Sequence, residues 1–143
     1  MDLIKSISFY IVTSVALNLL AKGLGSDFIG PFIKGNIISI LINLLAINIA
    51  TCTILMTKLN EIKSNATVDF SATYRELKLS LKEQVILIAT SFLILMLDKS
   101  TLLNMNIPHC TLCFDIVLTA IFIYAVDILW DLGKAVFAII NYN

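Results

Sequence analysis

Four long apolar blocks decide what this chain can fold into: Leu3–Ala21, Ile37–Thr57, Leu81–Leu97 and Cys110–Trp130. A helix that crosses a bilayer needs about 20 mostly apolar residues, with a range near 17–25. Hydrocarbon offers the backbone no hydrogen-bond partner, so only helices and closed barrels can span it. The second and fourth blocks meet the length easily. The third is at the short limit and relies on Lys82 reaching to the interface. The chain is 59% hydrophobic and 14% charged, where a soluble domain carries about 45–50% apolar and about 25% charged residues. The sequence therefore predicts an all-α fold. It is a single domain over residues 1–143, an integral membrane bundle of four transmembrane helices. Met1-Asp2-Leu3-Ile4-Lys5 is only weakly basic and no A-x-A-like site follows, so the first block is read as a retained helix rather than a cleaved signal.

Glycine and proline cluster between the blocks. Gly23, Gly25, Gly30 and Gly35 fall between the first and second, Pro31 with them, and Pro108 lies between the third and fourth. With four spans, both termini share a side with the middle connection. That side holds Lys5, Lys58, Lys63, Arg75, Lys78, Lys82 and Lys134; the other holds Lys22, Lys34 and Lys99. The richer side is cytoplasmic by the positive-inside rule, so both termini are expected inside a bacterial inner membrane. Trp130, near the inner end of the fourth span, suits the aromatic belt. Ten basic and ten acidic residues cancel, and no direct nucleic-acid binding is expected.

Residues 58–83 read as a charged cytoplasmic loop. "TYRE" at 73–76 and "SLKE" at 80–83 both fit a capping box, while Leu77, Leu79 and Leu81 alternate with polar residues as a strand would. A short interfacial helix leading into the third span is the favoured reading. The basic residues Arg75, Lys78 and Lys82 are the expected contacts for a soluble cytoplasmic protein partner, or for anionic lipid.

In the second span the polar residues follow a seven-residue pattern. Asn36, Asn43, Ala50 and Thr57 share one position; Ser39, Ala46, Thr53 and Asn60 share the other seam position. Small and polar residues face protein or water in a membrane, and Leu and Ile face lipid. This seam is expected to line a pore or pack against another subunit, in a homo-oligomer of about four chains. Packing inside one bundle, with Ala46 and Ala50 in close contact, is the plainer alternative.

The fourth span carries Asp127, Asp131 and Lys134 at 4-and-3 spacing. Counted from Cys110, Asp127 lies roughly 25 Å along the helix, so it is still inside hydrocarbon about 30 Å thick. The three residues are expected at the inner mouth, as a gate or as a salt bridge with Lys134 or Lys58.

"PHCTLC" at 108–113 places Cys110 and Cys113 three residues apart beside His109, at the outer mouth of the fourth span. The pair is a candidate disulfide in an oxidising compartment. The hexapeptide and the span count resemble the membrane thiol oxidoreductases of the DsbB and vitamin K epoxide reductase type. That resemblance implies thiol-disulfide chemistry at Cys110 and Cys113. Those enzymes relay electrons through a second outer cysteine pair, and here the only other cysteine is Cys52, inside the second span. Three ligands at His109, Cys110 and Cys113 make a poor zinc site, so no metal and no cofactor is expected. The sequence lacks G-x-x-x-x-G-K-[ST], H-E-x-x-H and G-x-S-x-G, and holds one histidine. A non-enzymatic role is expected.

In size, span count and charged inner segment the chain looks like small membrane subunits of bacterial anti-phage systems, the Kiwa membrane subunit and RexB-type channels. It also has the outline of immunity proteins against pore-forming bacteriocins. The first likeness implies an oligomeric membrane sensor or channel that recruits a cytoplasmic effector; the second implies a monomer.

Overall fold

The computed structural model describes residues 3–65, 69–100 and 110–140. They form four helices: α1 (Leu3–Gly23), α2 (Ile29–Asn65), α3 (Ser71–Asp98) and α4 (Cys110–Ile140). Three of them, α2, α3 and α4, are long and apolar enough to cross a membrane. α1 is a shorter apolar helix, apolar over Ile7–Gly23. The chain is thus a small multi-span helical membrane protein.

Three of the helix ends have a local cause. α1 stops because Gly25 adopts a left-handed conformation at φ 67°. Its N–H reaches the Lys22 carbonyl at 3.0 Å, and the Ser26 N–H reaches the Ala21 carbonyl at 2.9 Å. This is a Schellman end, which a β-carbon would strain. α2 starts earlier than the apolar block suggests. Pro31, Gly30 and Gly35, expected in a connection, lie inside its first two turns. A proline in the first turn lacks only an N–H that the helix would leave unpaired anyway. Asp69 starts α3 by accepting the Ser71 N–H at 2.9 Å and its hydroxyl at 3.0 Å. Those two donors hold the Asp69 carboxyl below its ordinary value.

Most of residues 58–83 is helical: the helix expected to lead into the third span is found, continuous with that span, and the charged loop shrinks to the short stretch between α2 and α3. α2 continues to Asn65 and α3 begins at Ser71. The "TYRE" and "SLKE" segments are interior to α3 and cap nothing, and the Leu77–Leu81 alternation is wound into the helix. The reason is tertiary: Leu59 and Leu77 are buried together with Leu55 and Leu132, so the helices pack beyond the apolar blocks.

α4 is the hub. It packs against α1, α2 and α3. α2 also packs along α3, whereas α1 and α3 do not touch. The core between α2 and α4 is Ile33, Ile37, Leu41, Leu118, Ile121 and Ala125. On α3 the buried positions are Leu77, Gln84, Ser91 and Asp98, each seven residues from the last. A seven-residue repeat keeps one stripe against its neighbours, as in left-handed bundle packing.

The orientation of α2 reverses one expectation. Ile37, Leu41, Leu55 and Leu59, large residues expected to face lipid, are buried in the bundle. The small and polar seam turns outward instead. Packing density, not polarity, sets this choice, because lipid is as apolar as leucine and a helix gains from close interdigitation. Leu118 is fully buried while its neighbour Val117 is exposed. Leu118→Ala should lower stability in detergent by about 2–4 kcal/mol through the cavity left behind, and Val117→Ala by far less. Thermal unfolding of the two purified variants checks this.

Candidate functional site

Two polar clusters form at opposite ends of the bundle. At the end beside the α1–α2 connection, Lys34 of α2 reaches between two carboxylates. Its ammonium donates to Asp98 of α3 at 2.8 Å and lies 3.0 Å from Asp115 Oδ1 of α4, without aligning a hydrogen bond to that oxygen. The three side chains are 22%, 8% and 20% exposed. Gly30 makes the approach possible: a β-carbon there would fall 2.9 Å from the Asp115 carboxylate. The cluster lines a cup of about 700 Å³, shared with Asn18, Asp27 and Lys99.

At the opposite end, α1, α3 and α4 supply a second cluster. The Tyr10 hydroxyl donates to Asp127, and the Tyr124 hydroxyl donates to Glu83 at 2.8 Å. The two tyrosine rings pack at 5.1 Å between centroids. Because α1 and α3 both lean on α4 without meeting, a groove of about 750 Å³ opens between them. Glu76, Glu83, Asp127 and Asp131 line it together with apolar side chains, and no lysine or arginine is among its lining residues.

Between these clusters a polar seam joins α1 to α4. The Ser14 hydroxyl donates to the Ile116 carbonyl; the Asn18 amide donates to the Ser14 carbonyl at 2.9 Å and to the Thr119 hydroxyl at 3.3 Å. In the α2–α3 interface, Asn48, Gln84 and Ser91 are buried, and their side chains have no hydrogen-bond partner among the described residues. The Lys34–Asp98 and Asn60–Tyr74 pairings fix an antiparallel register that brings Asn48 about level with Gln84.

The residues singled out from sequence are placed as follows. Asn36, Ser39, Asn43, Ala46, Ala50, Thr53, Thr57 and Asn60 are all exposed on the outward face of α2. Ala46 and Ala50 make no close contact within one bundle, so the plainer alternative for the seam is not the arrangement found. Asp127, Asp131 and Lys134 do not act as one set. Asp127 turns to Tyr10, while Lys134 pairs with Asp131 at 2.7 Å and lies 5.7 Å over Trp130. Lys58 pairs with Glu61 instead of Asp127. Arg75, Lys78 and Lys82 are exposed. Cys113 carries an exposed free thiol and Cys52 is buried. The side chain of Cys110, and His109 altogether, lie outside the described residues, and so does the candidate disulfide. Among the described residues no group of three or more His, Cys, Asp or Glu could hold a metal ion.

Sequence reasoning missed Tyr10, Lys34, Glu83, Asp98 and Tyr124 as site residues. One signal was available for Asp98. Leu77, Gln84, Ser91 and Asp98 recur in sevens, as the α2 seam does. The tyrosine–carboxylate pairs carry no spacing signal, since their partners lie on different helices.

Removing the Lys34 charge should be costly. Lys34→Met removes the cation that Asp98 and Asp115 share. Loss of one partner from a buried ion pair costs about 3–5 kcal/mol, and partial exposure here lowers that to about 2–4 kcal/mol. Lys34→Arg should retain most of the stability. Melting of the detergent-solubilised variants reads the difference directly.

Comparison with protein-family models, curated proteins and solved structures finds no match for this chain.

Proposed function

We propose that the protein is a non-enzymatic homo-oligomer of the bacterial inner membrane, a sensor or channel-like assembly whose α2 seams meet around a shared axis. The single observation that carries this reading is Asn43. It is exposed on α2 and makes no hydrogen bond to any described residue. Lys34 and Lys58 flank the apolar part of α2, and Asn43 lies three residues from their midpoint, about 5 Å from the middle of the membrane. A free carboxamide there costs several kcal/mol in lipid, so it needs a second chain or water. Ser39 is exposed near the end of the apolar part of α2, and four other polar seam residues are already bonded. Asn36, Thr53 and Thr57 return their side-chain donors to the carbonyl four residues back, and Asn60 accepts the Tyr74 hydroxyl. Their small size lets another backbone approach closely.

In this reading α1 is the fourth span, both termini are cytoplasmic, and about four chains assemble. Arg75, Lys78 and Lys82 present a basic surface on the cytoplasmic part of α3 to a soluble protein partner. The architectural likeness to small anti-phage membrane subunits makes defence against phage the proposed context.

A reporter fused to the C-terminus should read cytoplasmic; an outside signal would remove the fourth span from the topology. The seam is tested by single cysteines at Ser39, Asn43, Ala46 and Ala50 in a background lacking Cys52, Cys110 and Cys113. Subunit cross-links at these sites are expected, with labelling by a water-soluble thiol reagent if the axis is hydrated. Asn43→Leu should weaken assembly about threefold to tenfold, the range of one interhelical hydrogen bond in a membrane. Ile42→Leu, at an exposed apolar position beside it, should change little. A monomeric mass together with neither labelling nor cross-links would overturn the reading.

A further inference from the structure

We propose that the groove between α1, α3 and α4 binds lipophilic organic cations, with the cationic centre seated between Glu83, Asp127 and the rings of Tyr10 and Tyr124. Nothing in the oligomer reading requires this site, because no residue of α2 lines the groove.

Three observations select the occupant. The first is size: about 750 Å³ lies within the range of roughly 300–1,000 Å³ for small-molecule pockets. The second is charge. Four carboxylates line the groove with no lysine or arginine among the lining residues; of the described cations nearby, Lys134 is paired with Asp131 and Arg75 lies 3.9 Å from Glu76, which leaves Glu83 and Asp127 facing no cation in the groove. An anionic lipid headgroup would be repelled. A purely apolar helix of another copy would strip water from Glu83 and Asp127 and return nothing for it. The third is the wall chemistry. Ile11, Leu87, Val117 and Ile121 give an apolar cleft, while two packed tyrosine rings stand beside the two carboxylates. Aromatic faces and carboxylates together suit a weakly hydrated, delocalised or quaternary cation better than a small metal ion, which would keep its water. A further polar group waits in the wall: the Ser80 hydroxyl oxygen is buried and has no hydrogen-bond partner among the described residues.

Access follows from the helix arrangement. Among the described residues the α1 and α3 backbones make no contact, so the groove lies between two helices that are not packed on each other. An amphiphilic cation enters such a cleft sideways, apolar part first, and meets the carboxylates.

The test uses the full chain in nanodiscs of zwitterionic phosphatidylcholine, with radiolabelled tetraphenylphosphonium as the probe and tetraphenylborate as an anion of the same shape. Saturable binding of about one phosphonium per chain is expected, with none for the borate. Asp127→Asn and Glu83→Gln should each weaken binding about tenfold, the scale of one partly buried charge contact. Both substitutions keep an acceptor for the tyrosine hydroxyl. Ala120→Phe, which fills the groove without touching a carboxylate, should also abolish binding, so a misfolded acid variant does not leave the question open. Asn43→Leu should bind normally, which separates this site from the α2 seam. Equal uptake of both ions, non-saturable partition, or unchanged binding in the acid variants and in Ala120→Phe would overturn the proposal. So would a groove occupied by lipid or by a second copy that the phosphonium cannot displace.

Discussion

Lys34 is the charge on which the bundle converges. It stands between Asp98 of α3 and Asp115 of α4 while being carried by α2, so one side chain ties three helices at one level. Gly30, one turn before it, leaves the room that Asp115 occupies. The constraint is sharper in a membrane than in water. Asp115 and Asp127 are twelve residues apart on α4, about 18 Å along the helix, and the hydrocarbon is about 30 Å thick. Both carboxylates cannot lie outside it. At least one acidic site is therefore embedded, and it must be satisfied by protein groups: a lysine at Asp115, a tyrosine hydroxyl at Asp127.

Between those two levels, apolar contacts alone would hold the helices together without choosing their register. Leucine against leucine gains little over leucine against lipid, and a one-turn slip exchanges equivalent contacts. Polar pairs do choose. Ser14 and Asn18 set α1 against Ile116 and Thr119 of α4; Lys34–Asp98 and Asn60–Tyr74 set α2 against α3. Asn48 and Gln84 then come level near the middle of the apolar zone, both buried. Two carboxamides at that depth have each other or an internal water as the partners hydrocarbon allows.

The apolar blocks made the helical, multi-span architecture readable from the residues alone, because length and hydropathy are local properties. Helix ends were less readable. Pro31 looked like a breaker, yet it sits in a first turn where it does no harm, and residues 58–65 and 71–83 looked like a connection, yet Leu59 and Leu77 bury each other's surface. The facing of α2 was legible only in part. The seven-residue pattern separated Asn43 from Asn48, but nothing local says which stripe meets α4; that depends on the shape of α4, with Leu118, Ile121 and Ala125 offering a surface that Ile37 and Leu41 fill. The tyrosine–carboxylate site was opaque for a related reason. Tyr10, Glu83, Tyr124 and Asp127 come from three helices, and their meeting depends on how far each helix slides along its neighbour.

α4 also carries the two faces of the molecule on one rigid body. Tyr124 and Asp127 face the groove, and Ala125, one residue on from Tyr124 and about 100° around the helix, is fully buried in the core packed against α2. Ala125 has no side-chain freedom with which to absorb a shift. A movement of the α4 backbone at Tyr124 therefore arrives at α2 undiminished, whereas a rotamer change at Tyr124 or Asp127 stops within the groove. Coupling between the groove and the outward seam of α2 consequently requires the helix itself to turn or slide. Such a movement is opposed at one end by the Lys34 ion pairs and along α1 by the Ser14 and Asn18 hydrogen bonds. Those contacts, rather than the residues at either site, set how tightly the two faces of the molecule are linked.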